Sequence, residues 1–459
     1  MKSHISPAHR DYSWISSRVA EAVLRSSYIN RIASRIPARE EGLAGHPAEF
    51  PDVVYVLFTA LAGTLGSQRN AASWLAEESN WYKVRKHAER RWEITLPKYG
   101  PTRGTCGYNF RRLADKHHLL FREEFRAAAI EQAQRQGCLM SEALTMNKPE
   151  RKNVVIADGT VPKCRFRHKT YERLRKEGKH VPGASFFKEG GEDGKWVHGM
   201  KELLFVVRPD EVPNSRVILG TFPVTEGTYL GEAGLAVQES LRYRNEVPGF
   251  LGFRFDGAFR GKHIDELMKA GLSVVTPVPK SDKRRFLKEV TCSKSHVHRL
   301  YTQQGDFCEI SLLDTGEEHT IYCKRVRQPS IAPRAKGGNF RVYAEIELAC
   351  GAIQRERLDS TGDDQGFSLA ERLRQHPPHT PYFKETYGYR ADVESTNNNL
   401  DSGLYRQRMI VDTPERQALI MVGFCISRNA ISQQVYEARL REGLLDEPPG
   451  NVREKPVAA

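Results

Sequence analysis

The stretch 153-NVVIADGTVPKCRFR-167 decides how this chain reads. Val154, Val155 and Ile156 are a β-branched apolar run of the kind that makes a buried strand, and Asp158-Gly159 reads as the turn that stops it. Behind the aspartate come Lys163, Arg165 and Arg167. Asp-Gly is good turn chemistry and needs no further reason to be there. A carboxylate at a strand end, facing basic residues, is also how a protein holds a metal ion beside phosphates. The flanking sequence has to choose between the two.

Downstream, strands and helices alternate. HGMKELLFVVR (198–208) and SRVILGTFPV (215–224) read as two more strands, and GEAGLAVQESLRYRN (231–245) as a helix. GFRFDG (252–257) is a short fourth strand ending at a second aspartate, Asp256. HIDELMKAG (263–271) is a helix leading to a fifth strand, LSVVTPVPK (272–280). This order predicts a mixed α/β sheet with flanking helices over 146–280. CEISLLD, EHTIYCKRV and FRVYAEIEL alternate in polarity and predict a β-rich insertion over 281–355. Its entry, KSDKRRFLKEVTCSKSHVHR, is strongly basic, and Lys283, Arg284 and Arg285 are candidates for phosphate contact. Residues 356–445 return to helix, with a long segment opening at Thr413-Pro414. The tail 446–459 is expected to be disordered.

Residues 1–145 read as all-helical. VVYVLFTALAGTLG (53–66) is too short to span a bilayer and suits a buried helix. After a break at Gly63–Gly66, Ser67 is placed to cap a second helix. The pair is either a helix-turn-helix that reads DNA or an ordinary helical hairpin. From Trp81 to Arg112, nine Lys or Arg stand against two Glu, interleaved with Trp81, Tyr82, Trp92, Tyr99, Tyr108 and Phe110. That is a nucleic-acid surface, or a basic loop whose rings belong to the core.

The whole chain of 459 residues carries 70 Lys plus Arg against 57 Asp plus Glu, a net charge of +13 that points to a polyanionic partner. Eight cysteines without a C-x-x-C pair imply a reduced, cytoplasmic protein, and the first residues lack a signal peptide's apolar run. Cys292-x3-His296-x-His298, with Cys308 beyond it, fits no common closed zinc site and reads as a DNA-facing loop.

The late helical region contains Tyr387-Gly-Tyr-Arg390-Ala-Asp-Val-Glu394. Together with IADGT around Asp158, HGMK at 198–201 and FDGAFRGKHIDELMKAGLSVVTPVPK around Asp256, it resembles the DDE transposases of bacterial insertion sequences. The branch concerned is marked Y-x2-R-x3-E-x6-K, and the likeness covers about residues 150–440. It implies a ribonuclease-H-like catalytic core interrupted by the β-rich insertion, with Asp158, Asp256 and Glu394 as the catalytic, metal-binding triad. It also implies two Mg²⁺ ions, for which Mn²⁺ can substitute. The implied partner is DNA, both element ends and target, held by a dimer in the nucleoid with no membrane involved.

Tyr387, Arg390 and Arg406 are candidate DNA contacts. His198 and Lys201 either sit beside the site or merely flank a strand. One position departs from the family: Asp401 stands seven residues past Glu394, where relatives carry Lys. Arg406 or Arg408 can supply that charge if the helix persists, or the copy is decayed or repurposed.

The residue types suit the chemistry without the family. Phosphodiester cleavage needs an activated water or 3′-hydroxyl and a stabilised leaving oxygen, which two Mg²⁺ supply. Mg²⁺ prefers hard oxygen ligands, so a few carboxylates suffice. The expected function is a transposase that cleaves its element's ends and joins the 3′-hydroxyl to target DNA. The alternatives are a non-catalytic DNA-binding derivative and a nuclease that never joins strands.

Overall fold

Side-chain alternation in the strand Val154–Thr160 (β1) explains the layering of the protein. Val154 and Ile156 enter one buried cluster, which includes Phe58, Phe110, Val393 and Leu419; Val155 and Ala157 enter another, with Phe205, Phe253 and Ile264. A strand apolar on both faces belongs in the middle of a covered sheet. The computed structural model describes residues 13–38, 49–140, 147–179, 183–189, 194–224, 229–279, 282–327, 330–333, 339–360 and 369–445. The tail expected to be disordered lies outside them.

β1 is the central strand of five. With β2 (Glu202–Val207), β3 (Val217–Pro223), β4 (Gly252–Arg254) and β5 (Ser273–Val275), the order is β3-β2-β1-β4-β5. β2 runs antiparallel to both of its neighbours, β1 and β3, whereas β4 runs parallel to β1 and β5 parallel to β4. Two expectations are corrected here. Asp158-Gly159 does not stop β1: the strand continues to Thr160, pairing Asp158 with Leu204 and Gly159 with Leu203. HGMKELLFVVR is not one strand, because Lys195–Gly199 pairs with Ser185–Glu189 before β2 begins at Glu202. The strand Ser185–Glu189 and the charged helix His168–Lys176 lie where no element was expected.

One face of the sheet is covered by helices. Asp52–Thr64 (α1) is buried from Val53 to Gly63, as its largely apolar sequence requires, with the Thr59 hydroxyl donating to the Tyr55 carbonyl. It packs against Arg103–Arg135 (α2) and Pro414–Arg441 (α6). Gly63 sits where α1 meets α6: a Cβ there would lie 2.4 Å from the Phe424 amide nitrogen, so glycine lets the two backbones touch. Ser67 caps the next helix, Gln68–Ala76, accepting from the Arg69 and Asn70 amides. Thr413 likewise caps α6. Leu119 on α2 is 66% exposed. The other face is covered by Tyr229–Glu246 (α3) and Gly261–Lys269 (α4).

The predicted insertion is β-rich. Its first sheet runs in the order Glu318–Tyr322, Asp306–Leu312, Val297–Gln303, Arg285–Thr291. Its second is centred on Phe340–Glu347, which pairs with Ile353–Arg357. Among the described residues no helix is long and apolar enough to cross a membrane.

Candidate functional site

The parity of β1 sets the direction of Asp158. It shares the side of Val154 and Ile156, facing the helix Ala391–Gly403 (α5), whose Val393 and Leu400 join the same core. The parallel pairs Val154↔Gly252 and Ile156↔Arg254 are each 98 residues apart (252 − 154; 254 − 156). The pairing ends at Ile156↔Arg254; Asp158 lies two residues further along β1 and Asp256 two residues beyond the end of β4. Asp256 lies past the end of β4, where its Oδ1 accepts the Ala258 amide (2.8 Å) and its carbonyl accepts the Thr276 hydroxyl (2.6 Å).

α5 is pinned by its first turn. Buried Asp392 forms ion pairs with Arg151 (2.7 Å), Arg216 (3.3 Å) and Arg208. The stretch 387–401 is not the single helix that the spacing suggested. The helix Pro381–Tyr387 gives way to a 3₁₀ turn, Gly388–Arg390, before α5 starts. The predicted residues still meet. Arg390 Nη2 lies 3.2 Å from Asp158 Oδ1 and 3.4 Å from Glu394 Oε1, while its Nη1 donates to the Tyr387 hydroxyl at 3.0 Å. Tyr387 stacks on Phe383. Asn397 Nδ2 donates to the second Asp158 oxygen at 3.0 Å.

Burial pushes the Asp158 carboxyl up to about 7, and the negative charges of Asp256, Glu232 and Glu394 push the same way against Arg390. Four carboxylates therefore share one field. Glu232, on α3, was not singled out in the sequence. It pairs with Lys201 beside Gly159, and burial raises its carboxyl while Lys201 opposes the rise. A Cβ on residue 159 would lie 2.1 Å from Glu232 Oε1. Gly159 is thus explained by that close approach and not by a turn. Asn397 had a faint signal, three residues after Glu394 on the same helical face; Glu232 had none.

The remaining candidates are dispersed. Lys201 is beside the carboxylates but engaged by Glu232. His198 sits among His168, Tyr171 and Phe186, and burial lowers its affinity for a proton. Arg406 is exposed beyond the end of α5, with φ 56°, its guanidinium over Tyr405; the helix does not persist to carry it toward Glu394. Arg408 donates to the Cys164 carbonyl. Lys283 and Arg285 are exposed, and Arg284 pairs with Glu318. Of the aromatic residues in 81–112, Trp81, Trp92 and Phe110 are core, whereas Tyr82, Tyr99 and Tyr108 are exposed.

A second cluster lies in the insertion. Ligand atoms of Cys292, His296, His298 and Cys350 all fall within 4.8 Å of one another. The fourth member is Cys350, not Cys308, which is buried in the strand Asp306–Leu312 with its thiol pushed up to about 12. The DNA-facing-loop reading of Cys292, His296 and His298 is corrected accordingly: these side chains converge on one another. Comparison of the chain with protein-family models and with curated proteins finds no match.

Proposed function

We propose that this chain is a metal-dependent transposase with a ribonuclease-H-like core, using Asp158, Asp256 and Glu394 to cleave DNA ends and join the 3′-hydroxyl to a target. The observation that carries the reading is the convergence of three carboxylates from distant parts of the chain. Asp158 lies on β1 and Asp256 two residues past the end of β4, the parallel strand beside it; the charge of Asp256 is felt at Asp158, and Glu394 is tied to Asp158 through Arg390. The sheet order β3-β2-β1-β4-β5, antiparallel on one side of β1 and parallel on the other, supports the ribonuclease-H-like assignment.

The donor set suits a hard cation. All candidate ligand atoms are carboxylate oxygens, and the affinity of Asp158 for its proton is raised chiefly by burial, with the charges of Asp256, Glu232 and Glu394 adding to the rise against Arg390. Asp158, Asp256 and Glu394 would hold the ions, which when bound activate the attacking oxygen and stabilise the leaving one. Asn397 fixes the orientation of Asp158. Arg390, whose terminal nitrogens are engaged by Asp158, Glu394 and Tyr387, would turn to a phosphate only by exchanging one of these partners. Lys201 and Glu232 form a pair that adds no net charge.

DNA would be held by basic surfaces away from the carboxylates. One is a groove of about 1040 Å³ lined by Arg25, Tyr82, Lys83, Lys86, Arg90 and Arg91. Dimerisation would bring two ends together. The test is nicking of plasmid DNA carrying the sequences that flank the coding region. Mg²⁺-dependent nicking and strand joining are expected from the parent, and neither from Asp158→Asn. DNA binding without nicking by the parent would favour a non-catalytic protein, and nicking without joining a nuclease.

A further inference from the structure

We propose that the insertion carries a structural zinc site made by Cys292, His296, His298 and Cys350. The hairpin between the strands Arg285–Thr291 and Val297–Gln303 supplies three of the four. Its tip closes with the Cys292 amide donating to the His296 carbonyl (2.9 Å) and the Ser295 amide to the Cys292 carbonyl (2.9 Å). Ser295 takes a left-handed φ of 61°, which turns the chain so that Cys292 and His296 approach each other. His298 follows on the next strand. Cys350 comes from the other insertion sheet, at the turn between Phe340–Glu347 and Ile353–Arg357, where Gly351 has φ 75° and its amide donates to the Leu348 carbonyl.

The separations suit one ion. The two sulfurs are 3.6 Å apart. A disulfide would set them at about 2.05 Å, whereas a tetrahedral zinc with Zn–S bonds of about 2.3 Å sets them roughly 3.8 Å apart. Two thiolates and two imidazoles complete a closed tetrahedral set with no position for substrate, which is the structural pattern and favours zinc over a hard cation.

The surroundings are built to orient a ligand. His298 Nδ1 meets Glu309 Oε1 at 2.7 Å, and Glu309 Oε2 accepts the Ala349 amide at 2.6 Å. This carboxylate fixes the ring so that Nε2 faces the cluster, where it is buried without a hydrogen-bond partner. Lys294 Nζ donates to the Cys350 carbonyl at 2.7 Å, joining the two tips directly. An ion here would add a further tie between two sheets that already meet through the Lys294–Cys350 and Glu309–Ala349 hydrogen bonds.

The experiment is metal analysis of the full chain, untagged and purified under reducing conditions with zinc supplied. The expected result is about one zinc per chain surviving dialysis against a weak chelator. Cys292→Ser and Cys350→Ser should each lose most of it. Glu309→Gln should retain the site with affinity lowered about 10- to 100-fold. Because the serine variants can fail to fold, cobalt substitution of the parent gives a second reading. A thiolate-to-cobalt charge-transfer band, which carboxylates cannot produce, supports the site. Absence of both zinc and that band in the folded parent overturns it. So does full zinc retention by folded Cys350→Ser, or a Cys292–Cys350 disulfide in protein purified without oxygen.

Discussion

The carboxylate cluster of the central sheet and the Cys/His cluster of the insertion solve opposite problems with the same device, side chains brought together from distant sequence. At the first, Arg390 sits between Asp158 and Glu394, and Glu394 keeps 55% of its side-chain surface exposed. At the second, the four ligands close on one another; Cys292 and His298 are buried, Cys350 is half-buried and His296 lies exposed at the tip. Hard oxygens in an accessible, polar setting suit ions that keep waters and meet a substrate. Soft sulfur and nitrogen in a closed set suit an ion that is never released. Under the two proposals above, the difference would place chemistry in the sheet and architecture in the insertion.

The sharpest way to break that division is to disable each cluster and measure both properties. Glu394→Gln or Asp158→Asn should lower metal-dependent cleavage about 10⁴-fold while DNA binding stays within about threefold. Cleavage by Glu394→Gln equal to that of the parent would remove the enzyme reading. Cys350→Ser should do the reverse. Its melting temperature should fall by roughly 5–10 °C under zinc-replete conditions, with cleavage per folded molecule changed only severalfold. A 10³-fold loss of cleavage in a folded Cys350→Ser would end the separation of the two roles.

The clusters also differ in how legible they were. Asp158 and Asp256 stand out as aspartates closing apolar strand signals, whereas Arg390 and Glu394 are legible only through the resemblance to the transposase signature. The parallel register then preserves the offset of 98 residues that separates the aspartates. Glu232 was invisible: it lies in a helix of ordinary composition, and only the folded sheet brings it against Gly159. The insertion failed for a related reason. Cys292, His296 and His298 are close in sequence, but Cys350 is 58 residues from Cys292 and belongs to another sheet. Nothing local distinguishes it from Cys308. Gly159 was misread because an Asp-Gly pair is the signature of a turn, and here close packing produced the same two letters.

Proton affinity offers a smaller test of the crowded carboxylates. Asp158 titrates near 7 in the folded chain, against about 3.9 unfolded. Between those values the folded state holds more protons, so metal-free stability should fall as pH rises from about 4 to 7. Asp158→Asn should flatten that part of the stability–pH curve in chelator-treated protein. A curve unchanged by the substitution would mean that Asp158 is not in the negative field described. Salt probes the insertion's outer face in turn. Lys283→Ala, Arg284→Ala and Arg285→Ala together should shallow the slope of log K against log salt by about two units, fewer than three because Arg284 is held by Glu318. An unchanged slope would take this edge of the insertion off the DNA.

The smallest effect is expected at Asp401, where the sequence departs from the lysine of the transposases it resembles. Asp401 is on α5, seven residues beyond Glu394 and nearly on the same face. Its surroundings separate it from the oxygen cluster. Burial raises its carboxyl, and the charge that opposes the rise is Lys163, past the end of β1, not Arg390. Burial raises Glu189 as well, with Asp401 adding to the rise, and its carboxylate accepts the Val161 amide at 3.0 Å. Asp401 thus belongs to a local set with Lys163 and Glu189 at the rim of the hairpin Ser185–Gly199. In Asp401→Lys, relief of repulsion with Glu189 would be offset by a new repulsion with Lys163, and each half-exposed pair is worth at most about 1 kcal/mol. DNA binding should therefore hold or tighten by up to about threefold, with cleavage within the same range. A loss of cleavage beyond about 10²-fold, with folding and binding intact, would place Asp401 among the residues that serve the metal ions and would extend the carboxylate cluster two turns along α5.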